Sequence, residues 1–228
     1  MTWKQMFTSS IGRKLVMSFT GIFLVLFLIV HVSINACIFA NDGGEMFNKA
    51  AHFMGANIVP RILEIGLFLG FILHIVQGYM LEAKNRKARS AKYAVSYGNK
   101  GSKWYSRSMA LLGTLILIFL ILHLSNFWLP NRASQGLSLS GEIDLYAKMK
   151  DTFSGHNPVT AITILVYVLG CAALGYHLAH GFQSAFRTIG VHNKRYNKML
   201  TSIGYAFAII VPLAFVMMPL CFHFGWIS

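Results

Sequence analysis

The sequence predicts an all-α integral membrane protein that crosses the bilayer five times as a single domain over residues 1–228. Three observations carry that prediction. Of 228 residues, 55% are hydrophobic and only 12% charged, with a mean hydropathy of +0.56, too apolar for a soluble domain of this size. Five apolar stretches are each long enough to cross about 30 Å of hydrocarbon as a helix. The basic residues crowd into alternate connections between them, as the positive-inside rule requires.

The spans fall at about residues 14–38, 60–82, 107–129, 158–186 and 201–225. Pro60 and the pair Asn157-Pro158 mark the starts of the second and fourth, where a proline in the first turn forfeits no helical hydrogen bond. Pro212 and Pro219 lie within the fifth and are expected to kink it. The connections 39–59 and 130–157 are mixed in charge, whereas 83–106 and 187–200 are strongly basic. Within 130–157, "GEIDLYAKMKDTF" is expected to form a short surface helix. The amino terminus resembles a signal peptide only weakly, because its apolar stretch runs into "HVSIN" and not into a small-residue cleavage site.

Charge sets the orientation. The amino terminus and the two basic connections hold 15 of the 20 basic residues, against one acid, Glu82. The opposite side holds Lys49, Arg61, Arg132, Lys148 and Lys150 with six acids. The amino terminus is therefore expected in the cytoplasm and the carboxyl terminus outside. A net charge of +13 belongs to this pattern, and no nucleic-acid partner is expected. Cys37, Cys171 and Cys221 form no CxxC or CxxCH motif, which argues against a zinc cluster, a disulfide framework and covalently attached haem.

The histidines carry the chemistry. His31 follows Lys14 by 17 residues and His123 follows Arg107 by 16, which puts both about 25 Å from the cytoplasmic edge. His74 precedes Lys84 by 10 residues and His177 precedes Arg187 by 10, or about 15 Å from that edge. Each of the first four spans thus has one histidine, in two layers about 10 Å apart. In a four-helix bundle of up-down topology, spans one and three are diagonal, as are two and four, so each pair can meet across the core. Paired imidazoles reaching into a bundle suit axial ligation of haem iron, here two b haems: His31 and His123 on the outer, His74 and His177 on the inner.

A lone intramembrane histidine is often a helix-packing hydrogen-bonder; four, matched in depth by pairs, are hard to obtain from packing alone. His74 and His177 each have glycine four residues on, Gly78 and Gly181, which leaves room for a porphyrin edge. His180, one turn nearer the cytoplasm, is expected to meet a propionate or water and not iron. His192 reads as a loop residue, His156 as a helix-start residue and His223 as an interfacial one.

The stretches "FLIVHVSIN", "FNKAAHFM…RILEIGLF", "LHIVQG", "LHLSNFW" and "YHLAHG" together resemble the di-haem, five-helix cytochrome b anchor of succinate dehydrogenases and fumarate reductases. The resemblance spans nearly the whole chain and places the four ligands on the same histidines. It implies a quinone, with menaquinone the expected type, near the outer haem, and a bacterial inner membrane as the location. It also implies cytoplasmic iron–sulfur and flavoprotein partners that handle succinate, because this chain has no dinucleotide motif, flavin site or cluster-binding cysteines. Some fumarate reductases of this family have a glutamate two residues before the fourth ligand, on a proton path. Here that residue is Gly175, so turnover is expected to respond to membrane potential.

Quinone chemistry moves protons as well as electrons and needs a titratable group. Glu64, near the start of the second span, is the acid placed within a span on the outer side, and an ion-paired helix-start role, with Arg61, is its competing reading. His52 is a second candidate. Arg13, Lys84 and Arg187 are candidates for propionate pairing, with snorkelling to the interface as the alternative. Two other functions fit less of the pattern: a quinone-linked di-haem anchor of another dehydrogenase or hydrogenase, and a haem-free transporter, which would show broken helices or acidic midplane residues.

Overall fold

The computed structural model describes residues 2–87, 103–135, 143–191 and 193–227, without the side chains of 3–5 and 135. Arg89, Lys92, Lys100, Glu142 and His192 lie outside the described residues. Ten α-helices occur among those described: α1 (Trp3–Thr8), α2 (Ser10–Asn35), α3 (Glu45–Ala56), α4 (Ile58–Lys87), α5 (Trp104–Arg107), α6 (Met109–His123), α7 (Leu129–Gln135), α8 (Leu145–Phe153), α9 (Pro158–Thr188) and α10 (Lys194–His223). A 3₁₀ turn, Ala36–Ala40, extends α2, and a π-helical turn, Leu124–Trp128, joins α6 to α7.

Five of these stretches are long and apolar enough to cross a membrane: Ser10–Ala40, Ile58–Lys87, Met109–Ser134, Pro158–Thr188 and Lys194–His223. The all-α, five-span expectation therefore holds, and the chain is a multi-pass membrane protein. Large apolar side chains such as Ile62, Ile65, Leu69, Ile72, Ile209 and Leu213 are more than half exposed. In a soluble protein that would be a liability; around a spanning bundle it is the surface that lipid covers.

The helix ends follow local chemistry. Asn157 accepts the Thr160 amide through Oδ1 at 2.9 Å, so Pro158 occupies the first helical position as read from sequence. The fourth span begins there. The fifth begins seven residues earlier than expected, at Lys194, because Asn193 caps it by accepting the Arg195 amide at 2.9 Å. Lys84, Arg86 and Lys87 likewise prolong α4 beyond its apolar run, where positive charge at a helix carboxyl end is favourable. Pro212 and Pro219 lie inside α10, as expected.

The described chain groups into two compact units. One comprises Met1–Phe27, Leu67–Thr114 and Leu174–Ile209; the other Leu28–Gly66, Leu115–Ala173 and Ile210–Ser228. In the first unit Ser18 donates to the Ala185 carbonyl at 2.5 Å, tying α2 to α9. Lys103 Nζ donates to Tyr205 at 2.7 Å, and Tyr205 shares a hydrogen bond of 2.8 Å with Tyr105.

The second unit has a core of Ile38, Phe47, Tyr146, Phe153, Tyr167 and Phe222, among others. The surface helix expected in 130–157 is α8, capped by Asp144, whose carboxylate accepts the Ala147 amide at 2.8 Å. Its Tyr146, Met149 and Phe153 are buried, one apolar face at helical spacing. Helix α3, which lies in the connection 39–59, packs beside it: Asn48 donates to Asp144 at 2.8 Å and accepts the Tyr146 amide at 3.1 Å. Gly44, at φ 89°, precedes α3. A side chain there would strike the Tyr146 ring, so glycine is required both for backbone conformation and for space.

Candidate haem and quinone sites

Each unit brings together one pair of histidines from two spans. In the first unit, His74 of α4 and His177 of α9 face each other with ring centroids 6.2 Å apart and planes at 67°. In the second, His31 of α2 and His123 of α6 are 5.7 Å apart, with planes at 89°. Two imidazoles bound at about 2 Å to one metal put their ring centres roughly 6 Å apart. Both pairs match that separation.

His123 Nδ1 and His177 Nδ1 are buried without a hydrogen-bond partner, a costly condition for a polar atom in apolar surroundings, and each is the ring atom left over if Nε2 is the one that ligates. Among the described residues, no three His, Cys, Asp or Glu side chains converge as a self-sufficient metal centre would need. Two imidazoles per site are a donor set that fits a metal whose remaining ligands come from a macrocycle.

The pair in the second unit is ringed by aromatics. Phe119 stacks on His123 at 5.7 Å and 29°, Phe127 lies 5.6 Å from it and Tyr167 6.1 Å. Phe215 lies 5.5 Å from His31. Gly170 makes the Phe119 position possible, since a Cβ there would come within 2.5 Å of the Phe119 ring. Directly after His123 the chain makes its π-helical turn. Such turns are frequent at functional sites, and one extra residue advances the helical phase by about 100°. Within the turn, Asn126 donates to Tyr167 at 3.1 Å and Trp128 reaches Glu64, as does Arg132 just beyond it.

Glu64 Oε1 accepts from Trp128 Nε1 at 2.5 Å and from Arg132 Nε at 3.0 Å, and Oε2 pairs with Arg132 Nη2. The Glu64 and Arg132 side chains are each 19% exposed. Glu64 is thus ion-paired, with Arg132. Its partners were invisible in the sequence, because they lie 64 and 68 residues away and depend on the π turn. His52 is exposed on α3.

In the first unit a cavity of about 370 Å³ is lined by Lys14, His180, Gln183, Ser184 and Arg187, among others. His180 Nε2 also lies 3.4 Å from Ser106 Oγ, and it is not a member of either facing histidine pair. Lys14, used in sequence only to mark depth, joins this basic cavity. Arg13 instead donates to the Phe7 carbonyl at 3.1 Å, and Lys84 to Ser10. The space beside Gly78 faces the methyl of Met17, 3.7 Å from where a Cβ would lie, and that beside Gly181 the methyl of Met109, at 3.9 Å. Gln77, one turn from His74, is 5% exposed with Oε1 unpartnered; nothing in its sequence context singled it out. His156 and His223, read separately in sequence, lie together with ring centroids 5.2 Å apart.

No protein-family model and no solved structure matches the chain. Over 205 residues it is 28% identical to the succinate dehydrogenase cytochrome b558 subunit of Bacillus subtilis (strain 168), an alignment covering 87% of this chain and 89% of that protein. Over nearly its whole length the chain is thus similar to a succinate dehydrogenase cytochrome b558 subunit.

Proposed function

We infer that the chain is the membrane anchor and electron-transfer subunit of a succinate:quinone oxidoreductase, holding two b haems. The observation that carries this reading is the facing histidine pair in each compact unit. His74 and His177 would hold one haem, His31 and His123 the other. Bound there, haem b supplies one-electron chemistry between a soluble partner and a quinone.

The chain's own groups do the rest. Phe119, Phe127, Tyr167 and Phe215 exclude water from the His31–His123 pair. Lys14, His180 and Arg187 give the cavity of the first unit the charge to bind haem carboxylates. Glu64 takes and returns the quinone proton, with Arg132 and Trp128 fixing its carboxylate. The sequence ranges of the first unit contain the 15 basic residues assigned to the cytoplasm, and that charge suits the docking of an iron–sulfur subunit that brings electrons from a flavoprotein.

Succinate-dependent reduction tests this reading against the anchor of another dehydrogenase. Membranes containing the chain with its soluble partners should show the b-type α band appear on adding succinate, and malonate should block it. A haem-loaded protein that succinate fails to reduce, while hydrogen or formate does, would assign it to the other enzyme class.

A further inference from the structure

The two histidines of the first unit are held unequally. His177 Nδ1 has no partner, whereas His74 Nδ1 lies 3.1 Å from Thr20 Oγ1. Thr20 Oγ1 is also 2.8 Å from the Val16 carbonyl and 3.3 Å from that of Met17, one turn back in α2. A hydroxyl has one proton to give, and a carbonyl can only accept. With that proton directed to Val16, the Thr20 oxygen faces His74 as an acceptor. His74 must then carry its own proton on Nδ1, and a neutral ring protonated there leaves Nε2 as a free lone pair. Gly21 brings the α2 backbone against the same ring: a Cβ at Gly21 would lie 3.5 Å from His74 Cε1. Together the hydroxyl and the glycine fix both tautomer and ring position.

We propose that Thr20 is a positioning residue which, through its hydrogen bond from His74 Nδ1, presents His74 Nε2 to haem iron and raises the basicity of that one ligand. The proposal rests on the haem reading above. A more basic imidazole ligand favours ferric over ferrous iron. Removing the acceptor should therefore raise the midpoint potential of that haem and leave that of the other where it was.

The test uses the full-length chain purified in detergent, with Thr20→Val, which keeps shape and loses the hydroxyl, and Thr20→Ser, which keeps the hydroxyl. Haem content, the low-temperature EPR signal of each ferric haem and the two midpoint potentials are recorded. Thr20→Val should raise one midpoint and alter one EPR signal, leaving the other haem unchanged, and Thr20→Ser should restore both. Loss of one haem in Thr20→Val with retention in Thr20→Ser would support the same assignment. Two unchanged midpoints in Thr20→Val, or equal changes in Val and Ser, would overturn it while leaving the ligand scheme intact. A wild-type chain without haem would instead overturn the ligand scheme, and this proposal with it.

Discussion

Gly170 is the position at which a single methyl group should separate the two proposed haem sites. A Cβ added there would lie 2.5 Å from Phe119 Cγ, 2.6 Å from Cδ2 and 2.9 Å from the Phe119 Cβ. Carbon atoms in contact sit about 3.5–4.0 Å apart, so the ring must retreat by roughly an ångström. The conflict reaches back to the Phe119 Cβ, so rotation of the ring alone cannot relieve it. Phe119 is also fixed between His123, on which it stacks, and Tyr167, whose ring centroid is 5.1 Å away. Overpacking of this kind costs about 1–3 kcal/mol. Carried into the position of His123, that is roughly a 5- to 150-fold loss in affinity for the group the His31–His123 pair holds. Gly113→Ala is the control, because its Cβ would meet His177 Cε1 at an ordinary 3.9 Å. The assay is pyridine haemochrome content with redox titration of each purified variant. Gly170→Ala should deplete or shift one haem, Gly113→Ala neither, and Phe119→Leu added to Gly170→Ala should restore the lost component. Full haem content with unchanged potentials in Gly170→Ala would refute the reasoning.

Arg132→Ala removes the ion-pair partner of a Glu64 that is only 19% exposed, and should cost about 1–3 kcal/mol, read as a lower thermal midpoint, together with a loss of quinone-linked turnover. Glu64→Gln should keep both haems and lower quinone turnover; undiminished turnover would remove Glu64 from the proton path. The Ala147 amide and the Asn48 side chain hold the Asp144 carboxyl below its ordinary range. The cap therefore stabilises α8 fully above the ordinary carboxylate range and loses that contribution as pH falls through the lowered pKa. Protection factors of the amides across 145–153, which correct for the slower intrinsic exchange in acid, should fall on that acid limb, and Asp144→Asn should flatten the dependence. With glycine and not an acid at position 175, succinate oxidation in energised vesicles should slow when an uncoupler collapses the potential, since each charge moved across 100 mV is worth about 2.3 kcal/mol. A rate indifferent to uncoupler would contradict that expectation.

Much of this arrangement was legible in the sequence because the bilayer constrains it. Span length, the Asn157-Pro158 start and the charge division each follow from a local rule. Counting 1.5 Å per residue from basic anchors was enough to pair His31 with His123 and His74 with His177, the two pairs that face each other in the structure. Distant geometry was not legible. Arg132 meets Glu64 only because the helix widens after His123, and no local pattern in "LHLSNFW" announces that turn. Helix α3 escaped notice because its apolar face is short, and its Asn48–Asp144 contact joins segments nearly a hundred residues apart. Helices α4 and α10 outran their apolar windows because lysine and arginine are good helix formers outside hydrocarbon.

The central claim is that two pairs of histidines each hold one b haem. Its most direct test is haem b per chain in the detergent-purified, full-length protein, for wild type and for His31→Ala, His74→Ala, His123→Ala, His177→Ala and His180→Ala. Wild type should hold two. Each of the first four variants should lose one, His31 and His123 the same spectral component and His74 and His177 the other, while His180→Ala keeps both. A folded wild-type chain without haem, or members of one pair losing different components, would contradict the account.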